Sequence, residues 1–302
     1  MTDLPPLPCY LNGQYTPLPE AKISVMDRGF IFGDGVYEVI PAYQGALFRF
    51  DDHMARLDRS LAELRMANPL AHAQWRAIAE RLLGEHRASI PAGEPPAEVQ
   101  SVYIQVTRGV ALRNHVMPTG IPPTVFMLAD RMGLPTPQQQ DQGVACITAD
   151  DFRWQKAHIK STSLLGAVFA RQLSYDVGAI ETVMFRDGWL SEAAASNIWV
   201  VKNGSLAGVP KNNLALTGVR YGLIAEICEA QGIPFELRRI SRDEVLAADE
   251  LILSSAVREV LAIVTLDGQP VANGRPGPIY KQLQAGYAQA KQRSIEQHKA
   301  SV

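Results

Sequence analysis

The sequence predicts a two-domain protein of the α/β class, α+β in type, and three observations lead to that reading. With 302 residues and 47% hydrophobic composition, the chain can bury one large core or two moderate ones. Both halves mix period-two apolar alternation with apolar stripes at helical spacing, so neither half is all-helical or all-strand. Residues 131–142 hold two prolines, a glycine and three consecutive glutamines, the composition of a linker. The expected organisation is a smaller N-terminal α/β domain over 1–130, a linker over 131–142 and a larger C-terminal domain over 143–302.

Taken in order, Tyr10 to Tyr15 sets Asn12-Gly13 between two β-prone runs, which predicts a two-residue hairpin. Met26 to Gly35 carries three glycines and two aspartates and is expected to be a succession of turns. Val36–Tyr43 and Ala46–Phe50 read as strands about the Gln44-Gly45 turn. Asp51 or Asp52 is expected to cap the helix that follows, with Met54, Leu57, Leu61 and Leu64 on its apolar face. A second helix over 73–88 presents Trp75, Ile78, Ala79, Leu82 and Leu83. Val102, Ile104 and Val106 alternate along a half-buried strand, and Thr124–Asp130 adds another.

In the second half, Val144–Ala149 reads as a strand and Ser163–Val177 as a helix ended by Gly178. Asp187-Gly188 joins strands over 182–186 and 189–191, and Asn197–Val201 continues the β pattern to Asn203-Gly204. Thr217-Gly218 is expected to open a helix to Ala230, and Ser241 to Glu244 has capping-box spacing. Strands at 251–253 and 261–266 lead to the Asp267-Gly268 turn, and Pro278 starts a helix whose tail is expected to fray.

The formal net charge of −2, with no basic run, excludes a nucleic-acid surface. No apolar run approaches the roughly 18–20 residues of a membrane span, and the N-terminus lacks a basic and apolar leader pattern, so a cytoplasmic protein is expected. Cys9, Cys146 and Cys228 are far apart and outside any C-x-x-C spacing, which suggests neither a disulfide framework nor a metal site. Zincin, nucleophile-elbow and P-loop motifs are absent, and Gly33-Asp34-Gly35 is too short for a dinucleotide fingerprint.

Lys160, in Ile159-Lys160-Ser161, stands against an apolar run, and a lysine amine can form a Schiff base with an aldehyde cofactor or carbonyl substrate. Read alone, it is more readily a helix-entry lysine with a packed stem. If Lys160 carries an aldehyde cofactor, pyridoxal 5′-phosphate is the natural choice, and such a site needs an acid at the ring nitrogen, an anion cradle and a substrate-orienting group. Glu192 can be the acid, against the alternative of an exposed turn glutamate. Gly218, Val219 and Arg220 sit at a helix start where backbone N–H groups can face a phosphate, and Arg56 can pair with one bidentately. Ordinary capping and a surface arginine are the plainer readings. Arg113 and His115, at i and i+2 of one loop, can grip a carboxylate together, or simply form a solvated basic loop.

Asp27-Arg28-Gly29-Phe30-Ile31-Phe32-Gly33-Asp34-Gly35-Val36-Tyr37-Glu38, Gln105 to Gly109, Ile159-Lys160-Ser161 and Glu192 to Asn197 occur in the order found in the fold-type IV pyridoxal-phosphate enzymes, which this chain resembles from about Tyr10 to Gly268. Within that class, the lysine segment with Leu164-Leu165-Gly166-Ala167 and the Arg113-Asn114-His115 trap are most similar to the D-amino-acid (D-alanine) transaminases. The resemblance implies a two-domain fold with pyridoxal 5′-phosphate between the domains and Lys160 as its Schiff-base lysine. It further implies Arg56, Val219, Arg220 and Ser255 about the phosphate, Glu192 at the pyridine nitrogen, and Leu216 against the ring. Tyr37, Arg113 and His115 would hold the substrate carboxylate, and the trap loop would reach the neighbouring subunit of a homodimer. The implied reaction transfers the amino group of a D-amino acid to a 2-oxo acid by a ping-pong mechanism. An aminodeoxychorismate lyase, a branched-chain L-amino-acid or R-amine transaminase, and a non-catalytic relic are the alternatives. The sequence departs from the family at Ala194, Ala195, Ala256 and Val257, where hydroxyl residues are common.

Overall fold

Short-range chemistry sets the first elements of the computed structural model, which describes residues 4–301. Strands β1 (Pro8–Leu11) and β2 (Gln14–Pro17) close over Asn12 and Gly13 at φ 48° and 95°, the geometry that the Asn-Gly pair favours. The segment expected to be only turns instead contains a five-residue helix, α1 (Arg28–Phe32). Asp27 caps it by accepting from Gly29 N at 2.8 Å, and Gly33 stops it at φ 64°, so one turn is stabilised from both ends.

Strand β3 (Gly35–Tyr43) turns at Gln44-Gly45 into β4, which spans only Ala46–Leu47. The expected strand to Phe50 stops early because Arg49 takes a left-handed conformation and Phe50 enters helix α2 (Phe50–Glu63). Arg49 is the residue at the cap position. Asp51 and Asp52 lie in the first helical turn, where negative charge suits the positive end of the dipole. Helix α3 (His72–Ala88) is followed by β5 (Val99–Thr107) and β6 (Thr124–Arg131). Together the strands form a six-stranded antiparallel sheet in the order β2-β1-β6-β5-β3-β4.

Among the described residues, one compact unit comprises those up to Gly133, the segment Ile159–Leu164 and those from Arg293. Its core joins Met54, Leu57, Leu61, Trp75, Leu82 and Leu83 of the helices to the inward residues Val36, Ile40, Val102, Ile104, Val106 and Met127 of the sheet. Each fully buried large side chain contributes about 1.5–3 kcal/mol. Tyr37, Tyr103 and Gln105 point to the other face, where they are half-buried. The lysine segment was expected in the C-terminal domain but packs here, because its backbone pairs with β3.

The second unit covers Leu134–His158 and Leu165–Gln292. The stretch expected to be a bare linker contains α4 (Pro137–Gln142), started by a Thr136 capping box. A nine-stranded mixed sheet runs β12-β11-β10-β13-β14-β7-β8-β9, with β15 (Gln269–Pro270) on β14. Its strands are β7 (Val144–Asp150), β8 (Glu181–Arg186), β9 (Trp189–Ala193), β10 (Asn197–Lys202), β11 (Ser205–Gly208), β12 (Phe235–Leu237), β13 (Glu250–Ser255) and β14 (Glu259–Leu266). Helices α5 (Leu165–Asp176), α6 (Arg220–Gln231), α7 (Arg242–Leu246) and α8 (Pro278–Ser301) complete the chain. Helix α6 starts at Arg220 rather than Thr217, since Gly218 lies outside the helix and packs against Asn197. The tail expected to fray stays helical to Ser301, and the helix is anchored upstream by buried Tyr280, Leu283 and Tyr287. All three cysteines are buried and free. No helix among the described residues is long and apolar enough to cross a membrane.

Candidate active site

In the first unit, the segment bearing Lys160 is fastened to β3 by its main chain. Tyr37 N donates to Lys160 O at 2.9 Å, Thr162 N donates to Gly35 O at 2.9 Å, and Lys160 N donates to Ser60 Oγ at 3.3 Å. Thr162 and Ser163 hydroxyls both donate to Gly33 O at 3.0 Å. These bonds leave the side chain as the free variable, and Lys160 Nζ lies 4.0 Å from the centre of the Tyr37 ring. Among the described residues no carboxylate pairs with that amine.

Arg56 is buried on α2 and faces Glu38 of β3. Its Nε and Nη2 donate to the two carboxylate oxygens at 2.7 Å each, and His53 Nδ1 lies 2.7 Å from Glu38 Oε2. Burial pushes the Glu38 carboxyl up, but Arg56 and then His53 outweigh it and hold the group well below the usual carboxylate range. Arg113 and His115 flank Phe32, with the guanidinium 5.5 Å and the imidazole ring 5.4 Å from its centre. Among the described residues, neither makes a hydrogen bond, ion pair or ring contact with Lys160 or Tyr37. Arg28 and Arg108 fasten their loop: both pair with Asp34, at 2.7 and 2.8 Å, and Arg28 Nη1 donates to Asn114 O at 2.6 Å.

In the second unit, Glu192 stands near the end of β9 and is buried. Oε1 accepts from Arg153 Nη1 at 2.6 Å, while Oε2 accepts from Leu216 N at 3.1 Å and Asn197 Nδ2 at 3.3 Å. Burial pushes its carboxyl up to about 7, against the pull of Arg153. Asn197 Nδ2 also donates to Leu216 O at 2.9 Å, which draws the chain before α6 onto β10. At Gly218 a Cβ atom would lie 2.2 Å from Asn197 Oδ1, so only glycine permits this approach. Val219, the N-cap of α6, makes no side-chain cap bond, and the helix N-terminus at Val219 and Arg220 can direct N–H groups at an anion. Arg220 Nη2 donates to Ala256 O at 3.3 Å, tying that helix start to the turn after β13. In this turn Ser255 Oγ accepts from Arg258 N at 3.1 Å, whereas the buried Ser254 hydroxyl accepts from Trp199 Nε1 at 2.9 Å.

The structure thus groups Lys160 with Tyr37, and Glu192 with Leu216, Gly218 and, through Asn197 and Arg220, the Ser255 turn. Three contributors escaped sequence reading. Glu38 and His53 are identified only by the pairing of β3 with α2. Arg153 is an unremarked arginine whose one local sign is Asp151 two residues before it.

A sequence model of the family described as Amino-transferase class IV matches residues 35–266. The chain belongs to the class IV aminotransferases. This class IV aminotransferase is 35% identical over 273 residues to a D-alanine aminotransferase of Bacillus licheniformis, covering 90% of this chain and 93% of that protein. It is likewise 35% identical over 290 residues to a D-alanine aminotransferase of Staphylococcus aureus (strain COL), covering 96% and 98%. The T.th. branched-chain amino acid aminotransferase complexed with N-(5'-phosphopyridoxyl)-L-glutamate has the same fold, with a TM-score of 0.85 at 21% identity over 96% of this chain and 95% of that one. A fold IV-transaminase from Curtobacterium pusillum gives 0.77 at 25% identity over 91% and 93%. The aminotransferase uses pyridoxal 5′-phosphate. Its residues fit that group: an amine without a carboxylate partner, a buried carboxylate with a neighbouring arginine, and a glycine cradle at a helix start.

Proposed function

We propose that the enzyme transfers the amino group of a D-amino acid, D-alanine or one like it, to a 2-oxo acid such as 2-oxoglutarate. The observation that carries the substrate assignment is the match to D-alanine aminotransferases over nine-tenths or more of both chains. When bound, pyridoxal 5′-phosphate supplies a sink for the electrons left at the substrate Cα. Lys160 Nζ would hold the cofactor through its aldehyde, and as a free amine would carry the substrate Cα proton. Glu192 would hold positive charge at the pyridine nitrogen. Arg56 and the backbone at Gly218, Val219 and Arg220, with Ser255, would bind the phosphate, and Leu216 would pack on the ring. Tyr37 orients the substrate carboxylate, with Arg113 and His115 reaching it from a second copy of the chain. The return half-reaction uses the same residues with a new 2-oxo acid, so ping-pong kinetics follow.

A homodimer is part of this reading. Apolar side chains exposed on α5 (Leu165, Val168, Phe169) and on the Arg113 loop (Leu112, Val116) support it, since such surface ordinarily meets a partner. Light scattering on the eluting protein checks it, and a monomer active at the same specific rate would refute it. Free buried cysteines are in keeping with a cytoplasmic setting, which cell fractionation tests.

The deciding assay offers D- and L-alanine separately as donors with 2-oxoglutarate and follows pyruvate. Turnover with D-alanine, lost together with the cofactor's visible absorbance in Lys160→Ala, is expected. Equal use of L-alanine, or of an L-branched-chain donor, overturns the assignment in favour of the branched-chain alternative.

A further inference from the structure

Arg153 lies outside every expected site residue, yet it makes the shortest contact to Glu192, 2.6 Å from Nη1 to Oε1. Its other two nitrogens bond a second carboxylate. Nε donates to Asp151 Oδ1 and Nη2 to Asp151 Oδ2, both at 2.9 Å, and Arg153 N donates to Asp151 Oδ1 at 3.1 Å. Arg186 closes the cluster: its Nη2 donates to Arg153 O at 2.7 Å and lies 3.2 Å from Asp151 Oδ2. A guanidinium fixed by a bidentate carboxylate on one edge presents a single N–H to Glu192 in one direction, at little further entropic cost. The other donors to Glu192, Leu216 N and Asn197 Nδ2, are neutral. Asp151 and Tyr221 are the other titratable groups that act on or respond to Glu192, and neither brings positive charge. Among the described residues, Arg153 is the cation hydrogen-bonded to this buried carboxylate, and its charge favours the ionised form.

We propose that Arg153, clamped by Asp151 and Arg186, is a positioning residue that holds Glu192 as a carboxylate, so that the proton shared by Glu192 and the cofactor's ring nitrogen stays on nitrogen. This rests on the cofactor role proposed above for Glu192. Burial alone favours the alternative, a neutral carboxyl donating to a neutral ring nitrogen. An opposite charge within hydrogen-bonding distance moves a carboxyl by about 1–3 pH units, so loss of Arg153 should shift the proton-sharing equilibrium by about 10- to 1000-fold toward Glu192.

The test loads the full-length wild-type, Arg153→Met, Arg153→Lys and Glu192→Gln proteins with cofactor carrying an isotope-labelled ring nitrogen and reads its NMR shift. Wild type is expected at the protonated position and Arg153→Met at the unprotonated one. Arg153→Lys should return toward wild type. In the Glu192→Gln background Arg153→Met should add nothing. Near-UV circular dichroism establishes that each variant is folded, and if Arg153→Met is not, Arg153→Gln takes its place. A folded charge-removing variant whose nitrogen stays protonated overturns the proposal, as does an unprotonated nitrogen in wild type. A wild-type protein that takes up no cofactor overturns instead the reading on which the proposal rests.

Discussion

Glu38→Gln isolates the buried cluster behind Arg56. In the wild type the carboxylate has no solvent exposure and receives both Arg56 bonds and the His53 contact, all at 2.7 Å. Glutamine keeps the shape but removes the negative charge that the Arg56 guanidinium faces in a buried setting. Removing one member of a buried ion pair costs about 3–5 kcal/mol. At about 2–4 °C per kcal/mol for a domain of this size, the first unit's melting temperature should fall by about 6–20 °C. The pH dependence has a definite sign. Glu38 is held below its ordinary value, so its stabilisation is complete above the unfolded carboxyl's range, near pH 4.5, and is lost as the pH falls through the folded value. The variant should thus approach wild type as the solution is acidified. Scanning calorimetry of the cofactor-free proteins at neutral pH and below about pH 4 measures both effects. A neutral-pH loss of under about 2 °C, or a gap that widens in acid, would refute the reasoning.

Gly218→Ala places a methyl 2.2 Å from Asn197 Oδ1 and must displace Asn197 from Glu192 and Leu216; cofactor should dissociate at least several-fold faster, read from the decay of its absorbance under dilution. His86 is buried against Gln100, and burial lowers its pKa, so the folded state resists its protonation. Stability should decline as the pH falls below about 6.5, the unfolded value, and His86→Gln should flatten that part of a melting-temperature profile. Leu82→Ala empties a fully buried position between α3 and the sheet and should cost about 2–5 kcal/mol in urea unfolding, without changing the D- over L-alanine preference.

Much of this was legible because the signals are local. Asn12-Gly13, Asp187-Gly188, the Ser241 box and the apolar stripe of α3 each act within a few residues, and the chain folds there as read. The failures lie where distant residues decide. Helix α1 exists because Asp27, which caps it, is itself fixed by the Thr107 and Thr124 hydroxyls, 80 and 97 positions away in the chain. Strand β4 stops short because the chain must turn into α2 at Arg49. Lys160 stands out in the sequence by its side chain, but its attachment to β3 rests on backbone bonds that no side-chain pattern announces. Arg153 carries little sequence signal for the same reason: its partner Glu192 is 39 residues away, and only folding brings the two charges together.

The same pairing of arginine with carboxylate recurs in the molecule, and the number of cations differs from one carboxylate to the next. Asp34 meets two arginines, Glu38 meets Arg56 and a histidine, and Asp151 meets Arg153 and Arg186. In each case the attraction exceeds the cost of burial, and the carboxyl is held below its ordinary value. These groups stay charged across the neutral range, as structural anchors must. Glu192 has one arginine, shared with Asp151, and two neutral donors, and here burial wins, with the carboxyl pushed up to about 7. It is the carboxylate among these whose charge a bound cation or proton can still change near neutral pH. Groups poised in this way cluster at functional sites. A positively charged ring nitrogen would supply Glu192 with the second cation that the anchors already possess.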